Sequence, residues 1–386
     1  MTKLRMGIIG MGNMGSDHAK KLINGAVPEV ELTAVSEMDV SRLEACGSYL
    51  PETVARFGGA KELMDSGLCD AVIIATPHYE HPRLAIMAFS KGLHVLCEKP
   101  AGVYTKQVRE MNEQAQGSGL VFGMMFNQRT NPMYRKMHEL VNGGELGAMK
   151  RVNWIITDWY RSQAYYDSGS WRATWAGEGG GVLINQCPHN IDLLQWICGM
   201  PEKVRAFRHE GKWHHIEVED DVTAYMEYAN GATGVFVTTT ADLPGTNRLE
   251  ITLEMGKLVC ENDTLTLHKL SQNEREFCFG SKDGFSRPEV TVSVVPVEGD
   301  NSQHLGVIKS FARAVLHGEP LIAGGEEGIH SLGLSNAMHL SSWLGETVTL
   351  PVDEDAYLEE LNKRIAASKR KEANPVLFSV DGSFGS

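Results

Sequence analysis

"GIIGMGNMGSDHAKKL", residues 7–22, carries three glycines, Gly10, Gly12 and Gly15, in the spacing G-x-G-x-x-G between a short apolar run and a helical pattern. In a strand-to-helix turn the first glycine permits a tight bend, the second lets the backbone approach a pyrophosphate, and the third lets helix and strand pack closely. Asn13 and Met14 lie between the last two glycines. We expect this loop to bind the phosphates of a dinucleotide at the helix N-terminus.

The first third of the chain alternates short apolar runs with helical patterns. The runs are RMGIIG, VELTAVSE, CDAVIIAT, GLHVLCEKP and LVFGMMFN, at residues 5–10, 30–37, 69–76, 92–100 and 120–127. This alternation is typical of βαβ units, in which parallel strands are covered on both faces by helices. The pattern predicts an α/β fold that begins with a doubly wound, Rossmann-type domain over residues 1–127.

The pattern changes after residue 149, where strand-like runs follow one another without helices between them. Asn230 and Gly231 separate two of these runs, and an Asn-Gly pair is a strong hairpin signal. Helical patterns interrupt the strands at residues 185–198, 302–317 and 328–344. We therefore expect an α+β domain over residues 128–386 with a large, mainly antiparallel sheet.

The composition excludes several classes of partner. The 386 residues are 42% hydrophobic and 22% charged with a net charge of −13, so we expect a globular protein that nucleic acid and anionic membranes would repel. The seven cysteines form no C-x-x-C pair, and no stretch reads as a leader peptide or a membrane span. These features predict reduced thiols, a cytoplasmic location and a small-molecule ligand.

Glu37 bears on the choice of cofactor. It ends the second predicted strand, 22 residues after Gly15, where a carboxylate accepts hydrogen bonds from the adenosine ribose and repels a 2′-phosphate. Met38 follows, where an arginine would have favoured that phosphate. NAD is therefore expected in preference to NADP.

Three further motifs give the chain a family resemblance. They are ATPHYEHP at residues 75–82, CEKP at residues 97–100, and three glycines at residues 179–181 that precede His189. With the glycine loop, they resemble the glucose-fructose oxidoreductase, inositol dehydrogenase and rhizopine-catabolism family, Gfo/Idh/MocA, over nearly the whole chain. The resemblance implies an oxidoreductase in which Lys99 and His189 surround the reacting carbinol. It also implies a homodimer or homotetramer that is formed through the antiparallel sheet.

The chemistry of alcohol oxidation suits this pair of residues. An alcohol must lose a proton as its hydride leaves, so a neutral His189 would serve as the base while Lys99 stabilises the developing alkoxide. A surface salt bridge between Lys99 and Glu98 is the alternative for the lysine. A hydrogen-bonded core histidine is the alternative for His189.

The resemblance also implies cofactor contacts outside the glycine loop. Some of these residues have a structural alternative. His78 would then be an ordinary loop histidine, and His81 would cap or start the next helix. Trp171 and Arg172 would serve structural packing. The expected contacts are Thr76, Pro77, His78, His81, Glu98, Lys99, Asn127, Trp171 and Arg172.

Asn185 departs from the family pattern, which commonly has an aspartate four residues before the histidine. Taken as helical, EGGGVLINQCPHNID at residues 178–192 would place Asn185 and His189 on one face, with Asp192 nearly in line. We expect Asn185 to take part in the reaction site by binding a substrate hydroxyl. Asp192 is expected either to orient His189 or to belong to a structural network.

A segment dense in aromatic residues and arginines, residues 157–175, precedes the glycines. Such side chains suit sugar rings and equally suit an oligomer interface, so both interpretations stay open. Tyr160, Arg161, Tyr165 and Tyr166 are the candidate substrate contacts. WHHIEVEDD at residues 213–221 lacks helical metal-ligand spacing, so no metal is expected.

These observations predict an NAD-dependent oxidoreductase that acts on a ring secondary alcohol of a sugar, glycoside or cyclitol. One alternative is a lyase or glycosidase that oxidises its substrate transiently and recycles its NAD. Another is a non-catalytic NAD-binding regulator, against which Lys99 and His189 argue.

Overall fold

The computed structural model describes residues 2–369 and 371. Its first layer is a sheet of six parallel strands in the order β3-β2-β1-β4-β5-β6. The strands are β1 (Leu4–Ile9), β2 (Val30–Ser36), β3 (Ala55–Phe57), β4 (Ala71–Ile74), β5 (His94–Cys97) and β6 (Phe122–Met124). The strand order reverses between β1 and β4, and ligands of doubly wound sheets bind at the carboxyl ends beside such a point.

Five helices connect these strands: α1 (Asn13–Ile23), α2 (Val40–Cys46), α3 (Ala60–Asp65), α4 (Glu80–Ser90) and α5 (Thr105–Ser118). Strand β4 reads AVII, and all four of its residues are buried. Such a continuous apolar strand forms because helices cover both faces of a parallel sheet. The predicted doubly wound sheet is confirmed.

The remaining chain builds a nine-stranded sheet and the helices around it. These elements are α6 (Pro132–Asn142), β7 (Met149–Ile156), α7 (Gln163–Asp167), α8 (Pro188–Cys198), β8 (Lys203–Glu210), β9 (Glu219–Glu227), β10 (Thr233–Thr239), β11 (Asn247–Leu253), β12 (Gly256–Glu261), β13 (Thr264–Leu270), α9 (Glu274–Gly280), β14 (Val290–Val294), α10 (Gln303–His317), α11 (Gly328–Leu344), β15 (Val348–Thr349) and α12 (Glu354–Ala367). Short 3-10 helices occupy Asn127–Thr130 and Gly325–Glu327.

The second sheet has the order β14-β13-β12-β11-β7-β10-β9-β8-β15. All neighbours are antiparallel except β7 and β10, which run parallel. The Asn-Gly turn joins β9 to β10 as predicted, with Gly231 at a φ of 82°. The mainly antiparallel sheet is thus confirmed.

One face of this sheet packs against helices, and the other, here called the open face, carries exposed side chains within the described part of the chain. Trp154 and Phe236 lie on the covered face in a core that also includes residues of α8 and α11. Ile155, Phe207 and Tyr225 lie on the open face and are 41%, 56% and 42% exposed. This alternation of buried and exposed residues follows from the two-residue period of a strand.

Helix α10, which follows β14 in the chain, packs against the first sheet. Helix α10 packs Val307, Ile308 and Phe311 into the same core as Leu4 and Ile8 of β1. The domain division at residue 127 stays a prediction, and the end of the expected second domain lies outside the described residues. Within those residues, no helix is both long and apolar enough to span a bilayer.

Candidate active site

The three glycines of the loop after β1 differ in how much space surrounds them. A Cβ on Gly10, whose φ is +92°, would lie 2.6 Å from the carbonyl oxygen of Ala75, and one on Gly15 would lie 1.9 Å from that of Gly10. A Cβ on Gly12 would meet no atom within 4 Å. Helix α1 begins here with no side-chain cap and no acidic residue in its first turn. The loop and Asn13 and Met14 therefore fit the pyrophosphate of a dinucleotide.

Glu37 is fixed beside this loop at the end of β2. Its Oε2 accepts a hydrogen bond from the backbone N of Met11 at 2.8 Å, and its Oε1 accepts one from Asp39 N at 2.9 Å. Each oxygen keeps a second lone pair for a ribose hydroxyl. Because the carboxylate would repel a 2′-phosphate, the arrangement fits NAD.

Lys99 follows β5 and points towards the second half of the chain. Its Nζ donates a hydrogen bond to the backbone oxygen of Asn185 at 2.9 Å. Burial lowers the pKa of Lys99, while the carboxylates of Glu98 and Glu178 oppose that shift. The lysine therefore does not form the surface salt bridge with Glu98 that was the alternative prediction.

Glu98 pairs instead with a histidine of helix α1. Its Oε1 lies 2.7 Å from Nε2 of His18, and both side chains are buried. Burial by itself would raise the pKa of Glu98, but the hydrogen bond and charge of His18 bring it to about 2. Glu98 thus connects α1 to the segment that carries Lys99.

His189 lies in the first turn of α8 and is 7% exposed. Its Nδ1 has no hydrogen-bond partner among the described residues. Burial and the charge of Lys99 hold the pKa of His189 well below its ordinary value, so the imidazole is neutral. Asp192 contacts Arg129 through two hydrogen bonds of 2.7 and 2.8 Å, which supports the structural-network alternative for Asp192.

The expectation that Asn185 is helical is wrong. Helix α8 begins at Pro188, and Asn185 lies in the preceding turn, because proline is preorganised for the first helical position. The Nδ2 of Asn185 donates to the hydroxyl of Tyr165 at 3.1 Å and, very closely, to Oε1 of Glu178. Asn185 therefore reaches the site through this turn rather than through a shared helix face.

Glu178 is a buried residue of the site that sequence reasoning missed. It is 1% exposed, and its Oε2 accepts a hydrogen bond from Ala173 N at 2.5 Å. Burial raises the pKa of Glu178 to about 7, although Arg172, Ala173 N–H and Lys99 lower it. The one sequence signal was a charged residue directly before three glycines.

Arg172 and Arg161 approach the ring of Tyr165 from the aromatic segment. Their guanidinium carbons lie 4.3 and 5.2 Å from its centroid. Arg172 also donates to the Tyr165 hydroxyl at 2.5 Å and lies 4.7 Å from the ring of Trp171. The structure thus brings Arg161, Tyr165, Trp171 and Arg172 together beside Asn185.

The other two tyrosines of this segment are placed differently. Tyr166 is 2% exposed, and its hydroxyl lies 2.7 Å from Oγ1 of Thr240, so it packs in the core. Tyr160 is 44% exposed. The substrate contact predicted for Tyr166 gains no support from this position.

The loop after β4 contacts the glycine turn of the second half. His78 is buried, with its Nδ1 3.1 Å from the backbone oxygen of Glu178, and is not an exposed loop histidine. His81 lies 2.7 Å from Pro100 O and 2.8 Å from Thr76 O through its two ring nitrogens. His81 therefore joins two loops at the carboxyl edge of the first sheet.

Two predicted cofactor contacts hold buried oxygens without hydrogen-bond partners among the described residues. They are Oγ1 of Thr76, next to Pro77, and Oδ1 of Asn127 at the start of the first 3-10 helix. Buried polar atoms are normally hydrogen-bonded, so such atoms are expected where a ligand supplies the partner. Their position is compatible with the predicted NAD site.

His214, in the segment of residues 213–221, forms local structural contacts. His214 lies 2.9 Å from Asp220 through Nδ1 and 2.9 Å from the backbone oxygen of Arg161 through Nε2. No group of three or more histidines, cysteines, aspartates or glutamates that could hold a metal occurs in the described part of the chain.

Two family models match the chain in succession. Residues 4–126 match an oxidoreductase family with an NAD-binding Rossmann fold, and residues 134–259 match the GFO/IDH/MocA C-terminal domain. The chain belongs to the GFO/IDH/MocA family. It is therefore an NAD-binding oxidoreductase, as the sequence predicted.

Three similar proteins share about a quarter of their aligned residues with this chain. Trans-1,2-dihydrobenzene-1,2-diol dehydrogenase of Mus musculus is 28% identical over 66% of this chain and 74% of its own. Myo-inositol 2-dehydrogenase of Thermotoga maritima is 24% identical over 86% of this chain and 95% of its own. Among solved structures, the WlbA dehydrogenase of Chromobacterium violaceum, in complex with NADH and UDP-GlcNAcA, is 25% identical. It has a TM-score of 0.77 and the match covers 92% of this chain and 97% of that one.

Proposed function

We propose that the protein transfers hydride between NAD and a ring secondary alcohol of a sugar, glycoside or cyclitol. The observation that carries this proposal is that Lys99, at the carboxyl end of β5, acts with its charge on a neutral His189, whose Nδ1 is unpaired among the described residues. This is the set of groups that removal of a hydroxyl proton requires.

The division of labour follows from the charges of the two groups. NAD, when bound, supplies the hydride acceptor. His189 takes the hydroxyl proton because its imidazole is neutral, and Lys99 donates a hydrogen bond to the oxygen as negative charge develops on it. The carbinol becomes a ketone, and in the reverse direction His189 returns the proton.

The substrate class rests on the relatives and on the residues around Asn185. The two curated relatives described above are named as acting on myo-inositol and on a cyclic benzene diol, both of which carry ring secondary alcohols. Arg161, Tyr165 and Asn185 supply an aromatic face and polar groups of the kind that ring hydroxyls bind.

The experiment is NADH formation from NAD with a panel of hexoses, glycosides and inositols. We expect Lys99→Met and His189→Ala to lower kcat/KM by about 10²- to 10⁴-fold, since each removes one participant in the proton transfer. The exposed Lys282→Met and His330→Ala serve as matched controls. Undiminished NADH formation in both site variants would overturn the proposal.

The same assay separates this function from the NAD-recycling alternative. No contact in the described residues favours elimination over oxidation. Substrate loss without net NADH would assign the protein to the recycling class.

We also propose that the open face of the nine-stranded sheet joins two copies of the chain, or two such pairs. Ile155 of β7 and Phe207 of β8 lie at the two ends of one row of paired residues that runs across β10 and β9. Exposed apolar side chains are therefore aligned on that face. The cytoplasmic location stays a prediction.

A further inference from the structure

The side-chain amide of Asn185 is held in one orientation. Its nitrogen has two hydrogens, one directed to the Tyr165 hydroxyl at 3.1 Å and one to Oε1 of Glu178. Its Oδ1 makes no hydrogen bond within the described residues and is not among their buried unpaired atoms. Only the carbonyl oxygen of this amide is therefore available to a ligand.

Glu178 determines this orientation. An ionised carboxylate only accepts hydrogen bonds, so the group facing it must be the NH₂ end of the amide. The carboxylate cannot turn aside, because it is buried and its second oxygen accepts from Ala173 N. The following turn is equally constrained, since a Cβ on Gly179, whose φ is +83°, would lie 2.3 Å from Val103.

We propose that Glu178 is a positioning residue that keeps Asn185 as a hydrogen-bond acceptor for a free hydroxyl next to the reacting carbon. The inference rests on the proposed function and narrows its substrate class to rings with a vicinal hydroxyl. An acceptor rejects a methyl ether at that position, because the ether has no hydrogen to donate. Asn185 thereby accepts a substrate hydrogen bond as an aspartate would. The carboxylate of Glu178 lies behind the Asn185 amide and does not contact the ligand itself.

The protonation of Glu178 should make the substrate preference depend on pH, which a purely structural role of this residue would not do. A protonated carboxyl would donate to Asn185 and allow the amide to turn its NH₂ group towards the ligand. Arg172, Lys99 and Glu219 are the charged groups that act on this carboxyl, and His78 contacts its backbone oxygen. Preference for the free hydroxyl should therefore increase as the pH rises through about 7.

The test compares four proteins: wild type, Glu178→Gln, Asn185→Asp, and the variant with both changes. kcat and KM are measured separately between pH 6 and 9 with a ring diol that the wild type oxidises and with its vicinal methyl ether. We expect Glu178→Gln to raise the KM of the diol about tenfold, which corresponds to the loss of the hydrogen bond between the substrate hydroxyl and Asn185. The preference for the diol over the ether should then no longer depend on pH.

The double variant is the decisive protein. Asn185→Asp should also be impaired, because it places two carboxylates in contact. In the double variant the glutamine amide introduced by Glu178→Gln can donate to the new carboxylate, so the KM and the preference for the diol should return to within a few-fold of wild type. Exposed Glu110→Gln is the matched control, and NAD titration with thermal unfolding checks that each protein is folded.

The outcomes distinguish this inference from the proposed function. An unchanged KM, preference and pH profile in Glu178→Gln, or a double variant no better than the single variants, overturns the role of Glu178 alone. Absence of turnover by the wild type with every ring alcohol overturns the proposed function and this inference together.

Discussion

Glu178 is a carboxyl group that folding takes almost completely out of water, and its pKa rises from 4.5 to about 7. A raised pKa favours the protonated folded state, so its contribution to stability is full below pH 4.5 and is lost as the pH rises through 7. The side chain introduced by Glu178→Gln stays neutral and has no such loss. From pH 4.5 to 8 the free energy of unfolding of the variant should therefore gain on the order of 3 kcal/mol relative to wild type.

Urea unfolding at several pH values measures this difference. The exposed Glu110→Gln should follow wild type throughout. A stability difference between Glu178→Gln and wild type that does not change with pH would contradict the burial of an ionisable group at this position.

Glu37 carries the second residue-scale prediction, which concerns cofactor choice. Glu37→Ser with Met38→Arg removes the charge that repels a 2′-phosphate and adds a guanidinium on a residue that is 84% exposed. We expect the Kd for NAD to rise about tenfold and NADP to bind more tightly than NAD. Fluorescence titration with both reduced cofactors measures this, and Met38→Leu is the control. Retained preference for NAD would show that Glu37 does not select the cofactor.

At the scale of elements, the glycine loop offers a matched pair of substitutions. Gly12→Ala adds a methyl group in open space at a φ of −69°, whereas Gly15→Ala forces one against the backbone oxygen of Gly10. The first should fold normally but weaken NAD binding at least about tenfold, since the methyl group stands where the pyrophosphate approaches. The second should destabilise the fold by about 3 kcal/mol. Equal effects of both on unfolding would contradict this division of roles.

The sequence predicts elements with strong local signals and fails where long-range contacts decide. The strands around the glycine loop, the Asn-Gly hairpin and helices α10 and α11 agree with their patterns. The parallel pairing of β7 and β10 was not predicted, because these strands are separated by α7, α8, β8 and β9. The start of α8 was missed because apolar residues continue the helical period through a turn.

The candidate site shows the same limit. Motifs in the sequence identify Lys99 and His189 as candidates, and in the structure the charge of Lys99 acts on His189. Glu178 was missed because its importance depends on Asn185, Ala173 and Arg172, contacts that no spacing in the sequence encodes. The asparagine at position 185 is thus visible in the sequence, while its contact with Glu178 is visible only in three dimensions.

At the scale of the whole molecule, the site is assembled from both layers. Lys99, in the segment after β5, bonds to Asn185, while His78, from the loop after β4, contacts the backbone of Glu178. A second connection lies deeper, where Asn336 of α11 donates to Val103 O at 3.0 Å and accepts from Thr105 N at 3.1 Å. These buried contacts hold the two layers in register, so that groups 86 residues apart in sequence meet at one site.

The open face of the nine-stranded sheet is large enough for a stable dimer. Nine strands about 4.8 Å apart span roughly 40 Å, and strands of about seven residues are roughly 23 Å long, so that about 800 Å² per partner is available.

Phe207→Glu with Tyr225→Glu places charges on exposed positions of this face without disturbing the covered core. We expect the wild type to be at least a dimer at micromolar concentration and this variant to be a monomer, as measured by light scattering after size-exclusion chromatography. Phe285→Glu, at a residue that is 94% exposed and outside the sheet, should retain the wild-type mass. A monomeric wild type, or an unchanged mass in the sheet variant, would show that this face does not join the copies.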